Sequence, residues 1–194
     1  MFLTDNSTNP FSDQYPKLKL PSGGLTLEDE KLLLKYSDGK KLVVDIGTFC
    51  GRSAIILSLG SIKTITIDVF DDHSQFFPDT TTHPWKKEQV LKTLFDFPNI
   101  ESFHANSRDA VLKFKNNSID VIFIDANHDY DGVKTDFDDW YSKIKNKGII
   151  IMHDNYEIFP GVIRFLDELR EDRRVEFVEL DGWSVVFRKV THNA

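Results

Sequence analysis

The sequence predicts a doubly wound α/β domain, and three observations carry that expectation. Leu42–Asp45 reads as the end of a buried strand, Gly47 and Gly51 supply a tight turn, and Ala54-Ile55-Ile56-Leu57 reads as a buried helix ending at Gly60. Strand, glycine turn and helix form the first unit of such a domain. Apolar strand-like and amphipathic helix-like stretches then alternate to the end of the chain. The last two strand signals flank Asp181-Gly182, a strong hairpin signal, so a parallel sheet should close on an antiparallel pair.

Residues 1–24, rich in Asn, Ser, Pro and Gly, are expected to be an irregular arm or lid ahead of one domain over residues 25–194. Thr26 suits an N-cap, with acids Glu28, Asp29 and Glu30 in the first turn of a helix to Ser37 that buries Leu27, Leu33 and Leu34. Leu42–Ile46 is the first strand, and Gly60 is expected to be the left-handed cap of the helix after it. The β-branched alternation of Ile62–Asp68 makes the second strand. Asp71–Thr82 is a polar loop. Pro84–Phe97 is a helix with Val90, Leu91, Leu94 and Phe95 on its apolar face.

Ile100–His104 is the third strand, Ser107 to about Phe114 a short helix, and Ile119–Ile124 a central parallel strand, nearly all apolar. Val133, Phe137, Trp140, Tyr141 and Ile144 recur at helical spacing and read as core rather than a ligand cage. Ile149–Met152 is the fifth strand. Pro160 opens a helix that buries Val162, Phe165, Leu166 and Leu169 and ends in a solvated Glu-Asp-Arg-Arg run. Val175–Leu180 and Trp183–Lys189 complete the hairpin.

Composition narrows the function. The chain has 194 residues and a net charge of −7, which speaks against a general nucleic-acid surface. Its one cysteine, Cys50, excludes an intramolecular disulfide framework and fits a reducing compartment. No apolar run approaches the ~20 residues of a membrane helix. The N-terminus lacks the pattern of a signal peptide. A cytoplasmic protein without a membrane or nucleic-acid partner is expected, and a homo-oligomer is compatible with these features.

Ligands of open α/β sheets bind beyond the carboxyl ends of the strands, and a glycine turn at a helix N-terminus favours a carboxylate or phosphate. The turn, Asp45-Ile46-Gly47-Thr48-Phe49-Cys50-Gly51, lacks the third glycine of the dinucleotide fingerprint, and Gly51-Arg52-Ser53 lacks the upstream spacing of a P-loop. Asp68 ends the second strand about 20 residues on, where an acid can take the ribose hydroxyls of either NAD or S-adenosylmethionine (SAM). Asp125, Asp154 and Asn155 end neighbouring strands, and such oxygen groups suit Mg²⁺ or another divalent cation; alternatively Asp154 and Asn155 begin a turn. His128 is a candidate general base, a metal ligand, or a loop residue without a role. His153 should point away from the side chain of Asp154, as strand neighbours do, and either support the ligands from behind or act structurally. His73, His83, His104 and His192 show no ligand spacing.

The glycine turn resembles motif I of class I SAM-dependent methyltransferases, in the acid-x-Gly-x-x-x-Gly-x-Ser form of catechol and caffeoyl-CoA O-methyltransferases. The resemblance extends from about Thr26 to Lys189 and includes the Pro160-Gly161 pair and the Asp181-Gly182 turn. It implies a single-domain Rossmann-like fold with a seven-stranded, mostly parallel sheet in the order 3-2-1-4-5-7-6. It also implies O-methylation of a small-molecule hydroxyl, with SAM and a divalent cation as cofactors. Gly47, Phe49 and Ser53 would line the methionine end of SAM, Asp68 would bind the ribose, and Ser107 and Arg108 would meet the adenine. Asp45, Thr48, Gly51, Val69 and Asp125 complete the implied cofactor site, and Asp125, Asp154 and Asn155 the implied metal site.

Two positions depart from the catechol pattern. His128 stands where that group has its lysine base, and no acid near Val175 could hold a second catechol hydroxyl. The Asn127-His128-Asp129-Tyr130 run and the His153-Asp154 pair instead resemble bacterial cephalosporin-type and macrolide-sugar O-methyltransferases. That makes sugar or natural-product hydroxyls the implied acceptors, with phenols retained as an alternative. Competing expectations are an NAD(P)-dependent oxidoreductase on a related fold and a non-catalytic SAM-binding protein.

Overall fold

The computed structural model describes residues 9–70 and 86–191. Seven strands run in the order β3-β2-β1-β4-β5-β7-β6: β1 Val43–Ile46, β2 Thr64–Asp68, β3 Ile100–His104, β4 Ile119–Ile124, β5 Ile144–Met152, β6 Val175–Asp181 and β7 Ser184–Lys189. Strands β1 to β5 are parallel, and β7 runs antiparallel to both β5 and β6. The expected order and closing hairpin are therefore both present.

Strand alternation divides the core in two. On one face Val44, Ile46, Ile122, Ile124, Ile150 and Met152 pack against α5 (Tyr130–Tyr141) and α6 (Pro160–Arg170). On the other, Val43, Val121, Phe123, Ile149 and Ile151 pack against α1 (Leu27–Ser37), α2 (Arg52–Gly60) and α3 (Lys87–Leu94). A short α4 (Ser107–Ala110) runs on into a 3₁₀ turn at Val111–Lys113. Central strands need both faces apolar, which is why β1, β4 and the end of β5 carry almost unbroken aliphatic runs.

The structure redraws several details. Helix α1 is turned so that Leu27 is 41% exposed while Leu32 and Leu33 face the core, and Asp29 and Glu30 go in with them. Thr26 and Asp29 form a reciprocal capping box, which rotates that face inward. Gly60 is the last residue of α2 rather than a left-handed cap; a β-carbon there would run into Ser37 and Asp38, so the glycine serves close packing of α2 on α1. The left-handed glycine of this region is Gly39, at φ 67°.

Ile144 belongs to β5, paired with Ile119, so its helical spacing to Trp140 is coincidental; α5 stops at Tyr141. In α3 only Val90 and Leu94 are buried, with Leu91 and Phe95 outward. Ile62 lies outside β2 and is exposed. The Asp71–Thr82 loop, Pro84, His73, His83 and His192 fall outside the described residues.

Residues 9–24 carry turns packed on the α2 side of the domain. Phe11 and Leu20 are buried in that face of the core, and the Arg52 guanidinium donates to the Pro21 carbonyl at 2.7 Å. Arg52 is itself buried and paired with Glu30 at 2.6 Å, tying α2 to α1. Among the described residues no helix is long and apolar enough to cross a membrane.

Candidate active site

Backbone hydrogen bonds join the carboxyl ends of the central strands in a row. The Gly47 N–H donates to Ile67 O at 3.0 Å, Asp125 N–H to Ile46 O at 2.8 Å, and His153 N–H to Ile124 O at 3.1 Å. Each residue lies just beyond its strand, so the sheet's own stagger gathers the polar groups at one edge. Gly47 (φ 99°) is required there because a β-carbon would overlap the Asp125 carbonyl. Gly51 (φ 91°) caps α2, and Phe49 between them also has positive φ. Asp68 joins this turn through one oxygen: Oδ2 accepts from Phe49 N–H at 2.9 Å, while Oδ1 accepts from Phe70 N–H, just past the end of β2, at 2.6 Å.

Asp45 is wholly buried beneath the turn. Its Oδ2 accepts from Thr66 Oγ1 at 2.6 Å and Ser53 Oγ at 3.2 Å, while Oδ1 has no partner. Burial pushes its carboxyl up to about 8, against the pull of the two hydroxyls. Thr48 Oγ1 lies 2.6 Å from Thr66 Oγ1. Burial also drives the Cys50 thiol up to about 12, so it stays unreactive.

On the far side of the turn, Ser107 opens α4 and accepts from Trp140 Nε1 at 2.7 Å. Arg108 reaches outward to Asp139 at 3.2 Å and is largely exposed. Val69 is exposed, its carbonyl 2.9 Å from His104 Nε2. Of the expected cofactor residues, the turn, Asp45, Ser53, Asp68 and Asp125 converge at one place, whereas Arg108 is committed elsewhere.

The second cluster lies beside Asp125. Asp154 adopts φ 63°, a left-handed conformation that Asp tolerates better than most residues. That turn breaks strand alternation. His153 therefore does not point away from its neighbour: its Nδ1 is 3.1 Å from Asp125 Oδ1 and 3.2 Å from Asp154 Oδ1. The other oxygen of Asp154 is 2.9 Å from His128 Nε2.

His128 is held by its surroundings. Asp129 caps α5 through Gly132 N–H at 2.8 Å, which fixes the chain just after His128. Phe159, immediately before α6, packs on the imidazole with ring centroids 4.6 Å apart. Gly161 lets α6 approach the first turn of α5, since a β-carbon there would meet the Tyr130 nitrogen. Ligand atoms of Asp125, His128 and Asp154 all lie within 4.8 Å of one another. Asn155 follows in the chain, and its backbone N–H donates to Trp183 O at 2.9 Å. Two carboxylates and an imidazole at this spacing fit a divalent cation.

The charges are mutually dependent. Burial opposes a charge on His153, but the Asp125, Asp154 and Asp29 carboxylates outweigh it and hold the imidazole well above its ordinary pKa. His128, though partly exposed, is likewise raised: Asp154 outweighs the partial desolvation of its ring. Burial would raise Asp154 too, yet the two imidazoles bring it below the carboxylate range. Asp125 moves the other way, raised by burial and by the adjacent Asp154. Two carboxylates sharing a site part in this manner.

Sequence reasoning missed Asp29. It looked like a first-turn acid, but it is buried against His153, with Oδ2 3.4 Å from Nε2. Its legible signal was the Thr26-x-x-Asp29 cap; nothing local reveals a partner so distant in the chain.

The family model described as a methyltransferase domain matches residues 44–155, a span that holds the glycine turn, Asp68, Asp125, His128 and Asp154. The chain belongs to this family, the class I SAM-dependent methyltransferases. Its fold is shared with an O-methyltransferase from Bacillus cereus in complex with SAH (17% identity, TM-score 0.66, 89% of this chain and 84% of that one). It is also shared with the O-methyltransferase TomG of Streptomyces achromogenes, involved in tomaymycin synthesis and bound to SAM (16% identity, TM-score 0.65, 93% and 86%). Uncharacterized protein y4gI of Sinorhizobium fredii is 22% identical over 120 residues, 58% of this chain; the match spans 13% of that longer protein.

Proposed function

We propose that the protein transfers the methyl group of SAM to a hydroxyl oxygen of a small molecule, with His128 as general base. The observation that carries this reading is the Asp154–His128 contact, 2.9 Å long and set beside the glycine turn. Asp154 takes up the Nε2 side of the ring, which leaves Nδ1 to accept the hydroxyl proton. Methyl transfer is an in-line displacement: the acceptor oxygen bonds to the methyl carbon as the carbon–sulfur bond breaks, so most of the catalysis lies in positioning. The partnerless Asp45 Oδ1 is a polar group that the methionine end of SAM would satisfy. Asp68 is the ribose partner.

Asp125 and Asp154, followed by Asn155, are the oxygen ligands we assign to a divalent cation, which when bound lowers the pKa of the acceptor hydroxyl. The net charge of −7 favours a small acceptor over a polyanion. A second reading makes His128 a third cation ligand, since its ring lies within the same 4.8 Å cluster.

The test is methyl transfer from labelled SAM to a panel of sugar, phenol and natural-product hydroxyls, with and without EDTA. Turnover that EDTA abolishes, with SAH affinity kept, supports the proposal. Full activity in EDTA makes the carboxylates structural. SAH binding without turnover on any hydroxyl favours a non-catalytic SAM-binding protein. Loss of Mn²⁺ binding in His128→Gln would make the histidine a ligand instead of the base.

A further inference from the structure

Below the two carboxylates, on the side away from His128, His153 is 4% exposed and enclosed by acids. Its Nδ1 faces one oxygen each of Asp125 and Asp154, and its Nε2 faces Asp29 at 3.4 Å. The ring edge packs against Phe123, with centroids 5.8 Å apart. Asp29 is itself fixed on several sides. Its Oδ2 accepts from Thr26 N–H at 2.8 Å and Thr26 Oγ1 at 2.7 Å, and its Oδ1 accepts from Trp183 N–H at 2.9 Å. Gly182, at φ 58°, brings the β6–β7 turn down so closely that a β-carbon would overlap Thr26 and Asp29.

We propose that Asp29 and His153 are a buried positioning pair that holds the Asp125 and Asp154 carboxylates in place for a divalent cation. The inference rests on the cation reading given above. Two carboxylates facing one another repel, and each has a free torsion at its end. A hydrogen-bonded ring that engages one oxygen of each sets both planes, leaving the second oxygen of Asp125 for the cation and that of Asp154 for the cation and His128 Nε2 to share. His153 can do this only if its own plane is fixed, and Asp29, anchored by the α1 cap and the β6–β7 turn, fixes it. The helix start and the hairpin thereby become part of the cation site without touching it.

Coulomb's law and positioning predict opposite signs. A ring that merely lent positive charge would repel a cation, so its removal would tighten binding. A ring that sets the ligands would weaken binding on removal, by about 10–100-fold for a group of this kind. Mn²⁺ uptake by the full chain, followed by electron paramagnetic resonance, separates the two. His153→Gln, whose amide reaches toward Asp29, should lose affinity on that scale. His153→Asn, which keeps an N–H near the Nδ1 position, should recover part of it. Asp29→Asn should also weaken Mn²⁺, and its effect should largely vanish in the His153→Gln background, because the two act in series. Thr26→Ala removes the Oγ1 bond but leaves the Thr26 and Trp183 N–H groups on Asp29, so it should weaken Mn²⁺ less than Asp29→Asn does.

SAH binding and thermal melting verify the fold of each variant. If His153→Gln does not fold, His153→Asn carries the test alone, because loss of the Asp29 carboxylate weakens a cation on either account. Unchanged or tighter Mn²⁺ binding in the folded variants overturns the positioning pair, as does equal loss in Thr26→Ala and Asp29→Asn. A wild-type protein that takes up no Mn²⁺ overturns the cation reading and this inference together. Wild-type uptake with indifferent variants overturns this inference alone.

Discussion

Asp154 Oδ2 lies 2.9 Å from His128 Nε2 because Asp154 holds a left-handed backbone that swings its carboxylate across the end of β5. The conformation and the charge can be separated. Asn also tolerates positive φ, whereas Ala does not. Asp154→Asn should fold with near-normal melting, keep SAH affinity and lose most turnover. Asp154→Ala should lose turnover and melt lower. Equal turnover in Asp154→Asn and wild type would remove the carboxylate from the chemistry.

His128→Gln retains a hydrogen-bonding group but no base. General-base catalysis is worth about 10²–10⁴-fold, so kcat should fall by about 10²-fold or more while SAH affinity holds. Rapid-quench measurement of the chemical step, with an accepted hydroxyl substrate, is the deciding experiment. A normal rate there would leave proton removal to solvent or to another group.

Asp68→Ala removes a carboxylate that accepts from Phe49 N–H at 2.9 Å and that we assign to the ribose. Losing charge-assisted bonds should weaken SAH by about 1–3 kcal/mol. Calorimetry can also show whether the loss is confined to SAH: adenosine, which keeps the ribose, should lose comparably, and methionine less. Unchanged SAH affinity would make Asp68 a brace for the turn only.

Gly47→Val introduces a branched side chain at φ 99° into space taken by the Asp125 carbonyl. Backbone strain costs about 1–3 kcal/mol before the overlap is counted. The variant should melt well below wild type and bind no SAH. A stable Gly47→Val protein with normal SAH affinity would contradict the assignment of this turn to the cofactor.

The sheet was legible because its cause is local. Apolar runs such as Val121–Ile124 and Ile149–Met152 can be buried on both faces only in the centre of a parallel sheet, and Asp181-Gly182 marks a hairpin in two residues. The convergence of Asp125 and Asp154 was legible for a similar reason: both sit one or two residues past adjacent strands. The orientation of His153 was not, because alternation holds only while φ stays extended, and Asp154 departs from it. Asp29 was misjudged because an acid in a first helical turn is ordinarily explained by the helix dipole, and burial against His153 is a tertiary fact. Leu27 was misplaced by one helical face for lack of knowledge of how the Thr26 cap would rotate α1.

Asp45 supplies a pH test. Its folded-state pKa, pushed up to about 8 by burial, exceeds the ordinary value of about 3.9 for an unfolded chain. Between those values the folded protein keeps a proton that the unfolded chain has given up. Linkage then requires that this contribution to stability be fully present below about pH 4 and be lost as pH rises through about 8. Asn at this position cannot ionise and preserves shape and one acceptor for Thr66 and Ser53. Urea midpoints for Asp45→Asn should therefore fall less between pH 5 and pH 9 than those of wild type, by an amount on the order of a few kcal/mol in unfolding free energy. Other groups raised on folding, such as Asp125 and His153, contribute a slope of the same sign and remain in both proteins, so the difference between the curves reports Asp45 together with its coupling to Asp125. SAM is a cation at its sulfonium, and binding beside Asp45 would favour the ionised carboxylate. Wild-type SAM affinity should thus increase from pH 6 to pH 8 with release of a proton, seen as a dependence of the calorimetric heat on buffer ionisation, and Asp45→Asn should lose that dependence. Parallel stability curves, together with equal buffer dependence in the two proteins, would show that Asp45 is already ionised before the cofactor arrives.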